Sequence, residues 1–445
     1  MTRNESLRDL LASGEYLSYA YAYPHKTTYR TLAPPVGLRE LWAGEDRAAL
    51  FLYVHVPFCE QRCGFCNLYT QVQPKAGVEA RYVAAVERQA AVVAEALADP
   101  TGPARFLQLA IGGGTPTFLG AALLERVFAA ARRLGAANVP TSIEVSPGTL
   151  DDDQLGVLVA NRVTRVSVGV QSILPNETAA VQRGQALRDV ERVVRRLADV
   201  VPVCNVDLIY GLPGQTADTL RRSIDHVRDL GANELYLYPL YVRPLTGLGR
   251  RDGWDDHRLA LYRAGREHLL ALGWEQGSMR LFRAPGAPEG GVRAAGGAVY
   301  RCQDDGMVGL GAGARSYTRA LHYASPYAVS QGAIRAGIEA WMAQTDADFA
   351  HARHGIRLEE EERRRRFVLL SLLEAGLDRA AYVARFGADV LVHLPELAEA
   401  VDAGLVTEAD SGLGLTEAGL ERSDVLGHWL QSAAVRAARA GWEAA

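Results

Sequence analysis

Between residues 49 and 245, short apolar runs alternate with stretches whose apolar positions recur every three or four residues. The runs 51–56, 106–111, 141–146, 164–170, 203–210 and 234–240 read as strands, since buried strands are short continuous apolar segments. The stretches 78–98, 119–134, 150–161, 177–199 and 216–230 carry the helical period, as Leu119-Gly-Ala-Ala-Leu-Leu-Glu-Arg-Val-Phe128 illustrates. Strand, helix and strand repeated in this way require parallel pairing through right-handed crossovers. Six units fall two short of a closed eight-fold barrel. The expectation is therefore an α/β fold, a partial (β/α)6 barrel with a side opening and its site at the carboxyl ends of the strands.

The rest of the chain follows other patterns. Gly14 to His25 holds four tyrosines within eight positions, which predicts either an extended arm packing aromatics on the barrel or a segment closing its mouth. Residues 285–297 are glycine-rich and read as a loop. Glu359 to Glu362 followed by Arg363 to Arg366 pairs each glutamate with an arginine four positions on, the mark of a solvated helix face. Short helices from about 356 then lead to Gly404-Leu-Val and Leu413-Gly-Leu-Thr-Glu-Ala-Gly419, a helical region ending in a hairpin, as in a winged helix. Four parts result: an arm (1–48), the barrel (49–250), an extension (251–350) and a mainly helical C-terminal domain (351–445).

Cys59, Cys63 and Cys66 follow the apolar run 51–56 in a C-x3-C-x2-C spacing, short enough for one loop to wrap a compact metal centre. A [4Fe–4S] cluster usually takes four thiolates, so three local ones leave an iron open to a small ligand. The alternative is zinc, with His55 or a distant residue as fourth ligand. Zinc sites favour paired cysteine knuckles in closed four-ligand sets, and the spacing here argues against that.

With these cysteines the chain resembles the radical S-adenosylmethionine (SAM) superfamily. Tyr53-Val-His-Val-Pro-Phe-Cys59 is similar to the motif of the oxygen-independent coproporphyrinogen III oxidases and their relatives, which include haem chaperones and some C-methyltransferases. The resemblance implies a cluster whose open iron is chelated by SAM, reductive cleavage of SAM, and a 5′-deoxyadenosyl radical that abstracts hydrogen from a small-molecule substrate. It also implies a low-potential electron donor, flavodoxin or ferredoxin. Gly112-Gly-Gly-Thr-Pro-Thr117 resembles the family's SAM-contacting segment, making Gly113, Gly114 and Thr115 candidates; an ordinary tight turn is the plainer reading. Glu144, Gln171, Arg183 and Asp207 are polar groups near strand ends, and buried polar groups need partners. SAM offers such partners, its carboxylate suiting Arg183. By resemblance Glu144, Gln171 and Asp207 serve the ribose and neighbouring polar atoms, Phe65 stacks on adenine and Tyr53 contacts SAM. Gly309-Leu-Gly-Ala-Gly-Ala-Arg-Ser-Tyr317 resembles the segment that in the oxidase helps hold a second SAM.

Two departures limit the analogy. Leu68 stands where the oxidases carry a further cysteine, and Arg301-Cys-Gln-Asp-Asp-Gly-Met307 replaces the His-Asn…Tyr-Trp motif of the haem chaperones. Oxidation or decarboxylation of a porphyrin-like substrate, methyl transfer from a second SAM, and haem carriage all stay open. Cys302 is either a small buried residue or a thiol near the mouth, while Cys204 reads as core. The pocket lining is expected from positions 16–29, 236–248 and 300–317, aromatic or apolar in character. With 445 residues, net charge −4 and no basic block, nucleic acid is not an expected partner. Nor is a membrane, since no apolar stretch reaches the ~18–20 residues of a span. Five cysteines, three clustered, and an opening without a signal peptide predict a reducing, cytoplasmic location.

Overall fold

Side chains alternate between the two faces of a strand, and that alternation sorts the residues of the central sheet. In the computed structural model, which describes residues 6–14, 16, 22–98, 104–242, 246–248, 256–288, 302, 306–374 and 376–442, six parallel strands run Leu50–Val56, Phe106–Gly113, Thr141–Val145, Arg165–Gln171, Val203–Tyr210 and Glu234–Pro239. They pair in that order. Leu50, Leu52, Val54, Ile143, Val166, Val168, Val206, Leu208, Leu235 and Leu237 belong to one continuous apolar core, shared with the connecting helices Val78–Leu97, Ala121–Leu134, Leu187–Val200 and Ala217–Asp229. The intervening positions, Tyr53, His55, Glu144, Ser167, Asn205, Asp207 and Tyr238, carry polar atoms to the other face.

The expected strands all form, with ends shifted by a residue or two. The expected helix over 177–199 does not stay whole. It is two helices, Pro175–Ala180 and Leu187–Val200, separated by a loop in which Gln182 takes a φ of 55°. Gln185 in this loop donates to the Val170 and Ser172 carbonyls at 2.8 and 2.9 Å, ties that a continuous helix could not make.

The sheet extends beyond the six parallel strands. Met307–Leu310 adds a parallel strand beside Leu50–Val56, followed by antiparallel Arg315–Tyr317, Leu321–Ala324, His351–Arg357 and Arg30–Gly37. On the far side Leu281–Arg283 pairs antiparallel with Glu234–Pro239. Of the glycine-rich stretch, 289–297 lies outside the described residues.

A second apolar cluster joins Leu7, Leu10 and Tyr23 to side chains between Phe367 and Val435. Beside it, Val406–Ala409 and Gly412–Leu415 form the hairpin, and Leu377–Asp378 completes a three-stranded sheet. The charged run opens the helix Glu360–Leu373 and divides in two. Glu360 pairs with Arg364 and Glu361 with Arg365, as the spacing predicts. Glu362 and Arg366 instead turn inward: Glu362 accepts from Tyr23 and Ser432, and Arg366 donates to His322 Nε2 at 2.7 Å. Long-range partners override the local i,i+4 pairing there.

The two clusters are stitched together by Asp424, which is fully buried and accepts from Arg280 at 2.6 and 2.7 Å and from Tyr241 at 2.5 Å. Removing one member of a buried ion pair strands the other charge in a medium that solvates it poorly. Asp424→Ala is expected to cost about 3–5 kcal/mol in urea unfolding. Glu339→Ala, which breaks an exposed pair with Arg81, is expected to cost about 0–1 kcal/mol.

Candidate active site

The cysteine loop leaves the first parallel strand at Val56 and is held by main-chain hydrogen bonds from several directions. Gly114 N–H donates to Val56 O at 2.8 Å, Thr115 N–H to Phe58 O at 2.7 Å, Gln71 N–H to Pro57 O at 2.7 Å and Gly64 N–H to Val181 O at 2.8 Å. Two glycines permit this approach. Gly113 has a φ of 126°, and a Cβ there would lie 2.8 Å from both the His55 ring and the Val56 carbonyl oxygen. A Cβ on Gly114 would fall on the Phe58 carbonyl and the Thr70 hydroxyl. The Gly-Gly-Thr turn is thus a buttress beneath the loop. Gly113 also lines the cavity described below, whereas Gly114 and Thr115 serve the loop, Thr115 Oγ1 lying 3.2 Å from Cys59 Sγ.

The three thiols share one electrostatic neighbourhood. Burial pushes the Cys66 thiol up to about 11, with Cys63 and Cys59 adding to the rise. A thiol buried like that of Cys66 becomes a thiolate beside strong positive charge, which ligated iron would supply. Three thiols on one short loop are the donor chemistry of an iron–sulfur cluster. Arg183 comes to the same place: its Nη1 donates to Cys63 Sγ at 3.3 Å, and its Nη2 to the Gly169 carbonyl. The structure therefore brings Arg183 against a cysteine of the loop.

A cavity of about 470 Å³ opens above the loop. Tyr53, Phe65, Cys66, Gly113, Glu144, Gln171 and Asp207 all line it, so seven of the sequence candidates meet in one space. Gln171 reaches it from a left-handed backbone, φ 68°, at the end of its strand. Asp207 sits mid-strand, taking hydrogen bonds from Ser167 at 2.9 Å and Asn205 at 2.8 Å. Burial still pushes its carboxyl above the ordinary range. Glu144 accepts from Gly113 N–H at 2.9 Å. Its carboxyl is exposed only to the cavity; enclosure by protein, and secondarily the charge of Asp207, lift it to about 7. Below these groups Arg165 bonds to Glu234 and Ser142, and Glu234 also to Arg283.

His55 has a defined protonation state. Its Nε2 lies 3.0 Å from the Tyr69 carbonyl, which can only accept, so Nε2 carries the proton and Nδ1 accepts from Tyr53 at 3.1 Å. Burial lowers its pKa to about 4, with Lys26 and Arg315 adding to the fall. A neutral imidazole already satisfied at both nitrogens does not suit the role of fourth zinc ligand. Cys204 is buried core, and Cys302 is not among the described residues that line the cavity.

The expected lining segments supply Lys26, Tyr29, Tyr238, Tyr241 and Arg315, and positions 324–327 join them unforeseen. The aromatic expectation holds. The apolar one misses Lys26 and Arg315, because one charged residue in a three-residue turn or strand gives no periodic signal. Of the arm's tyrosines, Tyr16 packs on Tyr210 and Tyr241 and Tyr23 enters the second cluster. Tyr19 and Tyr21 lie outside the described residues.

Comparison with known proteins follows the same outline. Residues 53–227 match the family model of the radical SAM superfamily, and residues 358–421 that of the HemN C-terminal domain. The oxygen-independent coproporphyrinogen III oxidase of Cereibacter sphaeroides is 28% identical over 425 residues, 89% of this chain and 91% of that protein. The heme chaperone HemW of Mycobacterium tuberculosis is 33% identical over 205 residues, 45% of this chain and 52% of that protein. In fold, the chain matches the solved coproporphyrinogen III oxidase (HemN) of Escherichia coli with a TM-score of 0.77 at 23% identity, covering 91% of this chain and 96% of that one. Among the described residues no helix is long and apolar enough to cross a membrane.

Two expectations test the site. Gly114→Ala forces the turn away from the loop, so iron retained after anaerobic reconstitution should fall severalfold, while Gly120→Ala, where a Cβ meets nothing within 4 Å, should leave it unchanged. Glu144 rises from 4.5 to about 7, so between those values the folded chain keeps a proton that the unfolded chain releases. Stability from this group is present at the acid end and is lost as pH rises through 7. Denaturation of the apo chain at pH 5 and pH 8 should show a smaller alkaline loss in Glu144→Gln than in the parent.

Proposed function

We propose a function from one premise: this chain belongs to the radical SAM superfamily, in the group of enzymes resembling oxygen-independent coproporphyrinogen III oxidase. The family implies a [4Fe–4S] cluster and SAM. When bound, they supply one-electron cleavage of SAM and a radical that abstracts hydrogen. In our reading Cys59, Cys63 and Cys66 hold the cluster, and Arg183 places a fixed positive charge against Cys63. Glu144, Gln171 and Asp207 accept and donate hydrogen bonds to the polar groups of SAM. Gly113 lets its backbone approach the ligand, and Phe65 and Tyr53 bound it with aromatic surface. The observation that carries this reading is the convergence of Cys66, Gly113, Glu144, Gln171 and Asp207 on one cavity.

The substrate we infer is a tetrapyrrole of the coproporphyrinogen type, undergoing oxidative decarboxylation, with flavodoxin or ferredoxin as electron donor. Its support is the likeness to the Cereibacter sphaeroides oxidase over nine-tenths of both chains, set beside a cavity walled by tyrosines. The likeness to HemW favours a second reading, a haem carrier, against which stands Arg301-Cys-Gln-Asp-Asp-Gly-Met307 where haem chaperones have their motif. A second SAM near Gly309–Tyr317 would make the enzyme a C-methyltransferase.

The test is anaerobic incubation of reconstituted protein with SAM, dithionite and coproporphyrinogen III. The expected products are 5′-deoxyadenosine and a decarboxylated tetrapyrrole. Absence of 5′-deoxyadenosine would overturn the radical reading, S-adenosylhomocysteine would redirect it to methyl transfer, and a Soret shift on haem addition to carriage. Cys59→Ala, Cys63→Ala and Cys66→Ala should each abolish the brown chromophore and 5′-deoxyadenosine formation, whereas Cys204→Ala should keep both. If Cys302 is a hydrogen donor, Cys302→Ala should lose tetrapyrrole product while still cleaving SAM.

A further inference from the structure

The cavity is lined by two chemically different sets of charged side chains. Its acidic side chains, Glu144 and Asp207, stand on the parallel strands. Its cationic side chains, Lys26 and Arg315, come from elsewhere: Lys26 from the short helical turn Lys26–Thr28 after the arm, Arg315 from the start of an antiparallel strand. These segments lie nearly three hundred positions apart in the chain, yet both cations act on the same buried imidazole, His55, so both face one space. Each is set beside an aromatic ring. Lys26 Nζ lies 3.6 Å from the centroid of Tyr327, and the Arg315 guanidinium 5.7 Å from that of Tyr317. Tyr29 and Tyr327 continue the wall as flat surface. Cations beside aromatic faces form a surface for a molecule with an apolar ring body and anionic arms.

We propose that Lys26 and Arg315 form a carboxylate-binding wall that selects a polyanionic substrate with an apolar ring body and sets which arm is turned toward the cysteine loop. Its identification with the carboxylates of a tetrapyrrole rests on the function proposed above; the wall itself does not. The two sets then divide the labour. The carboxylates on the strands meet the hydroxyls and ammonium of SAM, and the cations hold the substrate's acids. Like charge also works against the reverse placement, because a substrate carboxylate beside Glu144 and Asp207 is repelled.

The experiment uses the reconstituted full chain and two probes, coproporphyrin III and 8-anilinonaphthalene-1-sulfonate, an aromatic anion unrelated to tetrapyrroles. Binding is followed by fluorescence, with iron content per chain as the folding control. Lys26→Gln and Arg315→Gln should each weaken coproporphyrin binding about tenfold or more. Lys26→Arg and Arg315→Lys should recover most of it, and the uncharged tetramethyl ester should bind weakly to parent and variants alike. If the parent binds only the sulfonate, and both Gln variants lose it, the wall stands and the tetrapyrrole reading falls. If the Gln variants keep full iron and bind both probes like the parent, or if the parent binds neither, the wall is overturned. A Gln variant that loses iron is replaced in the comparison by its charge-conserving partner, which must then bind coproporphyrin like the parent for the proposal to survive.

Discussion

Everything at the site depends on how closely two pieces of backbone approach one another: the cysteine loop after Val56 and the turn Gly113–Thr115. Gln61 and Arg62 add side-chain bonds from the loop to the Gly184 and Val329 carbonyls. The main chain fixes the loop through the hydrogen bonds from Gly114 and Thr115 to Val56 and Phe58. Such bonds need contact distance, and contact distance here excludes a Cβ at positions 113 and 114. The same turn presents Gly113 N–H to Glu144, so the position of the loop and the orientation of a cavity carboxylate are set by one short segment. Thr115 adds a hydroxyl beside Cys59. A shift of this turn therefore disturbs the thiols and the carboxylate together.

The second determinant is the strict two-residue period of the parallel strands. It delivers an ordered stack of polar groups to the inside of the sheet. Arg165, Glu234 and Arg283 form an ion network at one level, with Ser167, Asn205 and Asp207 bonded to each other above it and Glu144 facing the open space. Each group costs desolvation, and neighbours answer most of it, Asn205 Oδ1 being buried without a hydrogen-bond partner among the described residues. Burial leaves Asp207 and Glu144 with raised proton affinity, because it outweighs the hydrogen-bond donors around them and Arg165, which pull the other way. His55 is the converse case. Two surrounding cations and full burial keep it neutral, and its protonated Nε2 locks the ring to the Tyr69 carbonyl, which places Tyr69 on the cavity wall.

These features differ in how far the sequence reveals them. The strands were legible because apolar runs of six to eight residues are long enough to be unambiguous when helices of the right length separate them. The cysteines and the glycine turn were legible because close spacing in sequence and closeness in space coincide. Arg183 was visible as a polar residue near a strand end, but its contact with Cys63 spans 120 positions, and no local pattern carries that. The break in the helix at 181–186 was hidden because Val181 and Leu187 keep the apolar rhythm across the gap. Glu362 and Arg366 were misread since a perfect i,i+4 register looks the same whether the face meets water or Tyr23 and His322. Lys26 and Arg315 were missed because their significance lies only in the fold that brings them to one wall.

That wall is where the separate parts of the chain become interdependent. Tyr327 holds Lys26 on one side and stacks on Trp442 on the other, with ring centroids 5.4 Å apart. Arg30, just after the Lys26 turn, donates to the Ala438 carbonyl at 2.6 Å. Tyr241 lines the cavity and is bonded to Asp424 in the second apolar cluster's own segment. Tyr23, two residues before His25, is clasped between Glu362 and Ser432. The parallel strands and the cysteine loop thus supply one set of cavity residues, while Tyr241, Tyr327 and the chain on either side of Lys26 are tied to residues beyond 360. Through these contacts the C-terminal region bears on the part of the cavity lined by Lys26, Tyr241 and Tyr327.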